Sequence, residues 1–202
     1  SKGRFDVALD LLERRYPGGR IRVRQAIQRV LIPDFTNPSA TSAHEALLQL
    51  SRGSDAQLRL VTTNFDRVFE RIGQMATPRF ASYAAPMLPI PKASRWNGLV
   101  YLHGLLPDDD DDSALNRLVV TSGDFGLAYL TERWAARFVS ELFRNFVVCF
   151  VGYSIEDPVL RYMLDALAAD RMLGESTNPA YAFGASSQDD APDIEGEWDA
   201  KG

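Results

Sequence analysis

Apolar residues recur at spacings of three and four over three opening stretches, Phe5 to Tyr16, Ile21 to Leu31 and Ala40 to Leu50, and each predicts an amphipathic helix. Pro17-Gly18-Gly19 separates the first from the second, and Pro33-Asp34-Phe35-Thr36-Asn37-Pro38 the second from the third. The pattern then changes to short β-rich runs. Leu58 to Thr62, Leu99 to Leu102 and Leu118 to Val120 read as strands, with a short helix from Phe65 to Ile72 after the first. Phe125 to Phe143 returns to helical spacing. Phe146 to Val151 is a continuous apolar run bounded by Gly152, the pattern of a strand buried on both faces. Asp157-Pro158 supplies an N-cap and first-turn proline for a helix from Val159 to Ala168, and Ala180 to Phe183 is a last strand. Strands alternating with helices predict an α/β fold with a mostly parallel sheet, flanking helices and a helical N-terminal segment.

The division expected is a helical segment over 1–56, an α/β core over 57–185, and a flexible acidic tail over 186–202, where the composition turns polar. Polar motifs stand directly at the carboxyl ends of the strands, where open parallel sheets bind ligands. Thr62-Thr63-Asn64-Phe65-Asp66 follows the first strand, His103-Gly104 the second, Thr121-Ser122-Gly123-Asp124 the third and Gly152-Tyr153-Ser154 the fourth. Together they predict one crevice of sugar- and phosphate-binding character, with glycines that allow close approach of backbone to ligand.

Composition narrows the chemistry. One cysteine among 202 residues closes no intrachain disulfide, and one cysteine with two histidines falls short of a four-ligand zinc site. No metal is expected. A net charge of −5 argues against a nucleic-acid module. No apolar run approaches the roughly 20 residues that span a bilayer, and SKGRFDVALDLLERR lacks the apolar core of a signal peptide. A cytoplasmic protein without membrane partners is expected. Five consecutive aspartates, Asp108 to Asp112, read as a solvated loop, since adjacent like charges repel and cation sites gather carboxylates from separated positions.

His103 is the natural acid or base, because it follows a β run, precedes a glycine and has a side chain suited to proton transfer near neutrality. Asn64 carries a donor and an acceptor on one short arm, which suits a ribose hydroxyl or an attacking water, although it or Asp66 can equally cap the following helix. Ser154 and the amides around Gly152 suit a ribose or phosphate, or shape a turn. His44 lies within a helix and reads as structural, and Cys149 as an inert packed thiol. Gly152-Tyr153-Ser154-Ile155-Glu156 lacks the second glycine of a serine-hydrolase elbow.

These motifs resemble the sirtuin family. Thr63-Asn64-Phe65-Asp66 resembles its Gln-Asn-Ile-Asp motif, Leu102-His103-Gly104 its His-Gly, and Gly152-Tyr153-Ser154-Ile155 its later Gly-Thr-Ser, in the same order. TTNFDRVFE, YLHG, VVTSGDFGLAYL and FVGYSIEDPVLRYML look still more like the sirtuin-like domains of bacterial antiphage defence proteins, which hydrolyse NAD⁺. The resemblance covers roughly Leu58 to Phe183 and implies a Rossmann-like core. Sirtuin deacylases carry a four-cysteine zinc ribbon between the His-Gly and Gly-Thr-Ser motifs, and this chain has only Cys149. Absence of the ribbon counts against deacylation. The family's Gly-Ala-Gly-x-Ser phosphate loop is not among these residues, for no strand precedes Gly18-Gly19, and it is expected upstream of a chain that opens in mid-helix.

The resemblance implies an NAD⁺ glycohydrolase that releases nicotinamide and ADP-ribose and depletes NAD⁺ in abortive infection. Its catalytic residues would be His103, Asn64 and Asp66, and its NAD⁺-binding residues Thr63, Gly104, Gly152 and Ser154. A homo-oligomer is expected, with a partner ATPase or a phage-derived trigger. The competing readings are a sensor that binds NAD⁺ or ADP-ribose without cleaving it, and a subunit activated by such a partner. A zinc-dependent deacylase ranks behind both.

Overall fold

The computed structural model describes residues 4–37, 39–75, 79–152, 164 and 178–183. The chain divides into two compact units, Ser1–Pro89 with Ser94–Glu132, and Ile90–Ala93 with Arg133–Gly202.

The first unit opens with three helices, α1 (Phe5–Arg15), α2 (Gly19–Val30) and α3 (Ser42–Leu50), matching the three amphipathic stretches. A parallel sheet of order β1-β3-β2 follows, built from β1 (Arg59–Thr62), β2 (Ala81–Ala84) and β3 (Gly98–Tyr101), with α4 (Val68–Met75) after β1. β3 is central and buried at all four positions, as its unbroken apolar run requires. Leu48 of α3 and Phe69 of α4 pack with Leu58, Leu99 and Tyr101 into one apolar cluster. β2 has no counterpart among the expected strands. Its Ala-Ser-Tyr-Ala sequence is weakly apolar, and only pairing with β3 makes it a strand.

Leu118 to Val120 is not a strand. The Val119 amide donates to the His103 carbonyl at 2.9 Å, while the Leu118 amide turns back on the Leu115 carbonyl at 3.3 Å. The Val120 amide is taken by the Asp124 carboxylate at 3.0 Å and the Leu118 carbonyl by Arg24 at 2.6 Å. Side chains therefore satisfy the groups that a ladder would have used. The three residues are apolar because Leu118 and Val120 join Leu106 and Leu115 in a second core cluster.

The aspartate run is exposed at Asp108, Asp109, Asp110 and Asp112, as a solvated loop is, and its end also starts a helix. Asp111 caps α5 (Asp112–Asn116), accepting from the Ala114 amide at 3.0 Å, and Asp108 pairs with Arg67 at 2.8 Å. The expected helix from Phe125 to Phe143 is three pieces: α6 (Ser122–Phe125), a π-helical turn (Gly126–Thr131) and, beyond a left-handed Arg133, α7 (Trp134–Asn145).

The second unit holds α7 and a parallel pair, β4 (Val148–Val151) with β5 (Ala180–Phe183). α7 buries Ala135, Phe138, Val139 and Phe143 along one stripe, and Phe143 meets Phe150 at 5.9 Å between ring centroids. β4 is not buried on both faces. Inward Val148 and Phe150 alternate with exposed Cys149 and Val151, and exposed Tyr181 and Phe183 repeat the alternation on β5. Cys149 is thus an exposed thiol rather than a packed one. The helix expected over 159–168 lies outside the described residues except for buried Leu164, and the tail from 186 lies outside them entirely. No helix among the described residues is long and apolar enough to cross a membrane.

Candidate functional site

The carboxyl ends of β1 and β3 bring two of the motifs side by side. Thr62 pairs with Tyr101 at the last step of the ladder. Beyond it the Leu102 amide donates to the Thr62 carbonyl at 2.9 Å and the Leu106 amide to the Phe65 carbonyl at 3.0 Å, so the two strand-end loops run on together. Asn64 and His103 each lie two residues past the paired Thr62 and Tyr101, at the same edge of the sheet. This is where a parallel sheet presents ligand-binding groups.

His103 occupies a tight turn closed by the Gly104 amide donating to the Tyr101 carbonyl at 3.2 Å. Gly104 has φ +100°, and a Cβ there would lie 2.9 Å from Leu118 Cδ2, so both backbone and space call for glycine. The imidazole is buried, with Nε2 2.9 Å from the Tyr129 hydroxyl and the Phe125 ring edge-on at 5.1 Å.

Asn64 is exposed, and its amide donates to Thr62 Oγ1 at 3.1 Å. Asp66 instead accepts from the Val68 amide at 3.0 Å, so it is Asp66 that caps α4. Its carboxylate lines a cavity of about 660 Å³ with Phe35, Arg67, Glu70, Arg71 and Asp108, which His103 does not line. Thr63 is half-buried between Thr62 and Asn64. In the other unit Gly152 follows β4 with φ +63° and with no atom of the described residues within 4 Å of where a Cβ would stand, and Ser154 lies outside the described residues. His44 packs edge-on against Phe69 at 4.8 Å. Among the described residues no three His, Cys, Asp or Glu side chains are grouped to hold a metal ion.

A buried ion cluster supports the site from below. Arg24, with no exposed surface, donates to Glu13 at 2.7 Å, to the Asp124 carboxylate, and to the carbonyls of Leu115 and Leu118 at 2.8 and 2.6 Å. Arg20 reaches the other Asp124 oxygen at 2.7 Å. Asp124 and Thr121 form a capping box that starts α6. Burial pushes the Asp124 carboxyl up, but the Thr121 and Val120 amides with Arg24 and Arg20 outweigh it and hold the group below its ordinary value.

Tyr129, Phe125 and Arg24 also belong to this arrangement, which the sequence pattern does not show. Phe125 and Tyr129 stand four apart just after the Thr121-Ser122-Gly123-Asp124 cap, which was the available signal. Arg24 gave none, because a basic residue on an amphipathic helix ordinarily faces water.

Residues 58–202 match the family described as SIR2-like domain. The chain is also 35% identical over 190 residues to uncharacterized protein y4cA of Sinorhizobium fredii (strain NBRC 101917 / NGR234), a match that takes in 92% of this chain and 16% of that protein. The chain therefore spans a small part of that relative's length.

Proposed function

We propose that this chain, which belongs to the SIR2-like domain family, cleaves NAD⁺ by hydrolysis at the bond between nicotinamide and ribose. The observation that carries the reading is the placement of His103 on a fixed turn at the same strand-end edge as Asn64. The groups there fit a dinucleotide's ribose: Asn64 carries both a donor and an acceptor at an exposed position beyond the strand end. NAD⁺ supplies a cationic leaving group that departs as neutral nicotinamide without acid assistance. The protein's work is then to deliver water and take up its proton.

Asn64 aims the water or holds a ribose hydroxyl, and His103 accepts the proton as the water oxygen bonds to the anomeric carbon. One NAD⁺ and one water give nicotinamide, ADP-ribose and a proton. Asp66 contributes by fixing the start of α4 and hence the loop that carries Thr63 and Asn64. Gly152 and Ser154 serve as further binding positions on family resemblance alone. That resemblance also supports NAD⁺ depletion in antiphage defence, by a cytoplasmic homo-oligomer under control of a partner ATPase or phage-derived trigger.

The test follows nicotinamide release by the full-length protein beside His103→Ala and Asn64→Ala. His103→Ala should lose about 10²-fold or more in turnover. Equal rates in all three proteins sink the assignment. One observation favours a second reading: a histidine only 5% exposed and bonded to a tyrosine also suits a module that binds NAD⁺ without cleaving it. Calorimetric NAD⁺ binding with no nicotinamide release would select that reading.

A further inference from the structure

The geometry points to Tyr129 as the positioning residue for His103, acting through the hydrogen bond between its hydroxyl and the imidazole Nε2. The bond is 2.9 Å long and buried, and both rings are largely withdrawn from solvent, at 5% exposure each. An imidazole has two distinct nitrogens, and a partner on one fixes the ring's orientation and so the direction in which the other is presented. Phe125 sets the tilt, meeting His103 at an interplanar angle of 86° while lying against Tyr129 at 28°. The imidazole is thus held by a hydroxyl at one nitrogen and an aromatic wall across its plane.

The backbone beneath Tyr129 is unusual. Gly126–Thr131 is a π-helical turn, closed by the Glu132 amide donating to the Leu127 carbonyl at 2.8 Å. Such turns are rare and occur frequently at functional sites. Relaxation to an α-helix would rotate Tyr129 about the axis relative to Phe125 and draw the hydroxyl from Nε2. The start of the segment cannot rotate to compensate, because Asp124 is tied to the Thr121 and Val120 amides and to two arginines. The π-turn therefore places Tyr129 at the histidine from an anchored start.

This inference rests on the NAD⁺-cleavage reading only for its activity arm. The experiment compares the full-length wild type, Tyr129→Phe, and Tyr83→Phe as a hydroxyl-deletion control on β2. Each is labelled with ¹⁵N-histidine, and His103 is assigned as the resonance lost in His103→Gln. Tyr129→Phe should move the His103 Nε2 resonance and lower kcat about tenfold with KM within about twofold, whereas Tyr83→Phe should do neither. An unmoved Nε2 resonance in Tyr129→Phe overturns the proposal whatever the activity. A moved resonance with wild-type kcat overturns the positioning role. Full turnover by His103→Gln, or no nicotinamide release by the wild type, would instead overturn the cleavage reading, and the Nε2 shift would then decide Tyr129's hold on the ring by itself.

Discussion

Replacing Arg24 by methionine tests the ion cluster most directly. The side chain keeps its aliphatic bulk but loses four strong hydrogen bonds, to Glu13, Asp124, and the carbonyls of Leu115 and Leu118. Two carboxylates that are only 7% and 5% exposed then lose a shared cation. Removing one partner of a buried ion pair costs about 3–5 kcal/mol, chiefly because the other charge stays buried and unpaired. Arg20 still reaches Asp124 at 2.7 Å and Glu13 at 3.3 Å, which places the loss near the lower end, about 3 kcal/mol. For a chain of this size each kcal/mol moves Tm by about 2–4 °C, so a fall of about 6–12 °C is expected by calorimetry.

The same mechanism requires non-additivity. With Asp124→Asn already in place, Arg24→Met leaves one less charge stranded, and the double variant should lose at least about 0.5 kcal/mol less than the sum of the single losses. A Tm shift below about 2 °C for Arg24→Met, or strict additivity in the cycle, would refute the account of Arg24 as the charge that makes Asp124 tolerable in the core.

The remaining predictions concern pH, glycine and the thiol. Because its folded pKa is depressed, Asp124 contributes stability that is present above the ordinary carboxylate pKa of 3.8 and is lost as pH falls through the folded value. Asp124→Asn should therefore flatten the acid limb of the stability curve in urea titrations, and an unchanged limb would contradict the assignment. Gly98→Ala should prevent native β2–β3 pairing, since its Cβ would lie 2.2 Å from the Ala81 carbonyl oxygen, and soluble folded protein from this variant would disprove the register. Gly104→Ala should cost about 1–2 kcal/mol from its positive φ and shift the His103 resonances. Cys149 should react with a thiol reagent in the native protein, and Cys149→Ser should change stability by less than about 0.5 kcal/mol. Protection of the thiol under native conditions would restore the packed reading.

The legible parts of the fold were those whose cause is local. The first three helices follow from apolar spacing, and the positions of β1 and β3 from short β-rich runs ending in turn residues. Leu118 to Val120 misled because apolar content tells that a segment is buried, not which partners take its amides, and those partners were Asp124 and Arg24. β4 misled in the reverse sense: its run is apolar on both faces, yet among the described residues only one face is covered. Asn64 and His103 were readable as a pair because two parallel strands carry their carboxyl ends to one edge. Tyr129 was not, since its position depends on a π-turn, and the 3.6-residue period used to read the segment assumes there is none.

The helices before residue 58 follow from the same reasoning as part of the site's support. The SIR2-like match begins at residue 58, yet Arg20 and Arg24, which hold Asp124, and Glu13, which holds both arginines, all precede it. The similarity to the Sinorhizobium protein takes in 92% of the chain, so it includes most of those helices. Without them Asp124 would keep its amide partners but lose both arginines, a buried carboxylate facing no cation. It would then either protonate or draw water into the second core cluster, to which Leu9, Ile21 and Ile27 also contribute. Either change loosens the cap from which the π-turn and Tyr129 extend. The histidine at the sheet edge thus depends, through a chain of buried polar contacts, on two helices that carry none of the motif residues.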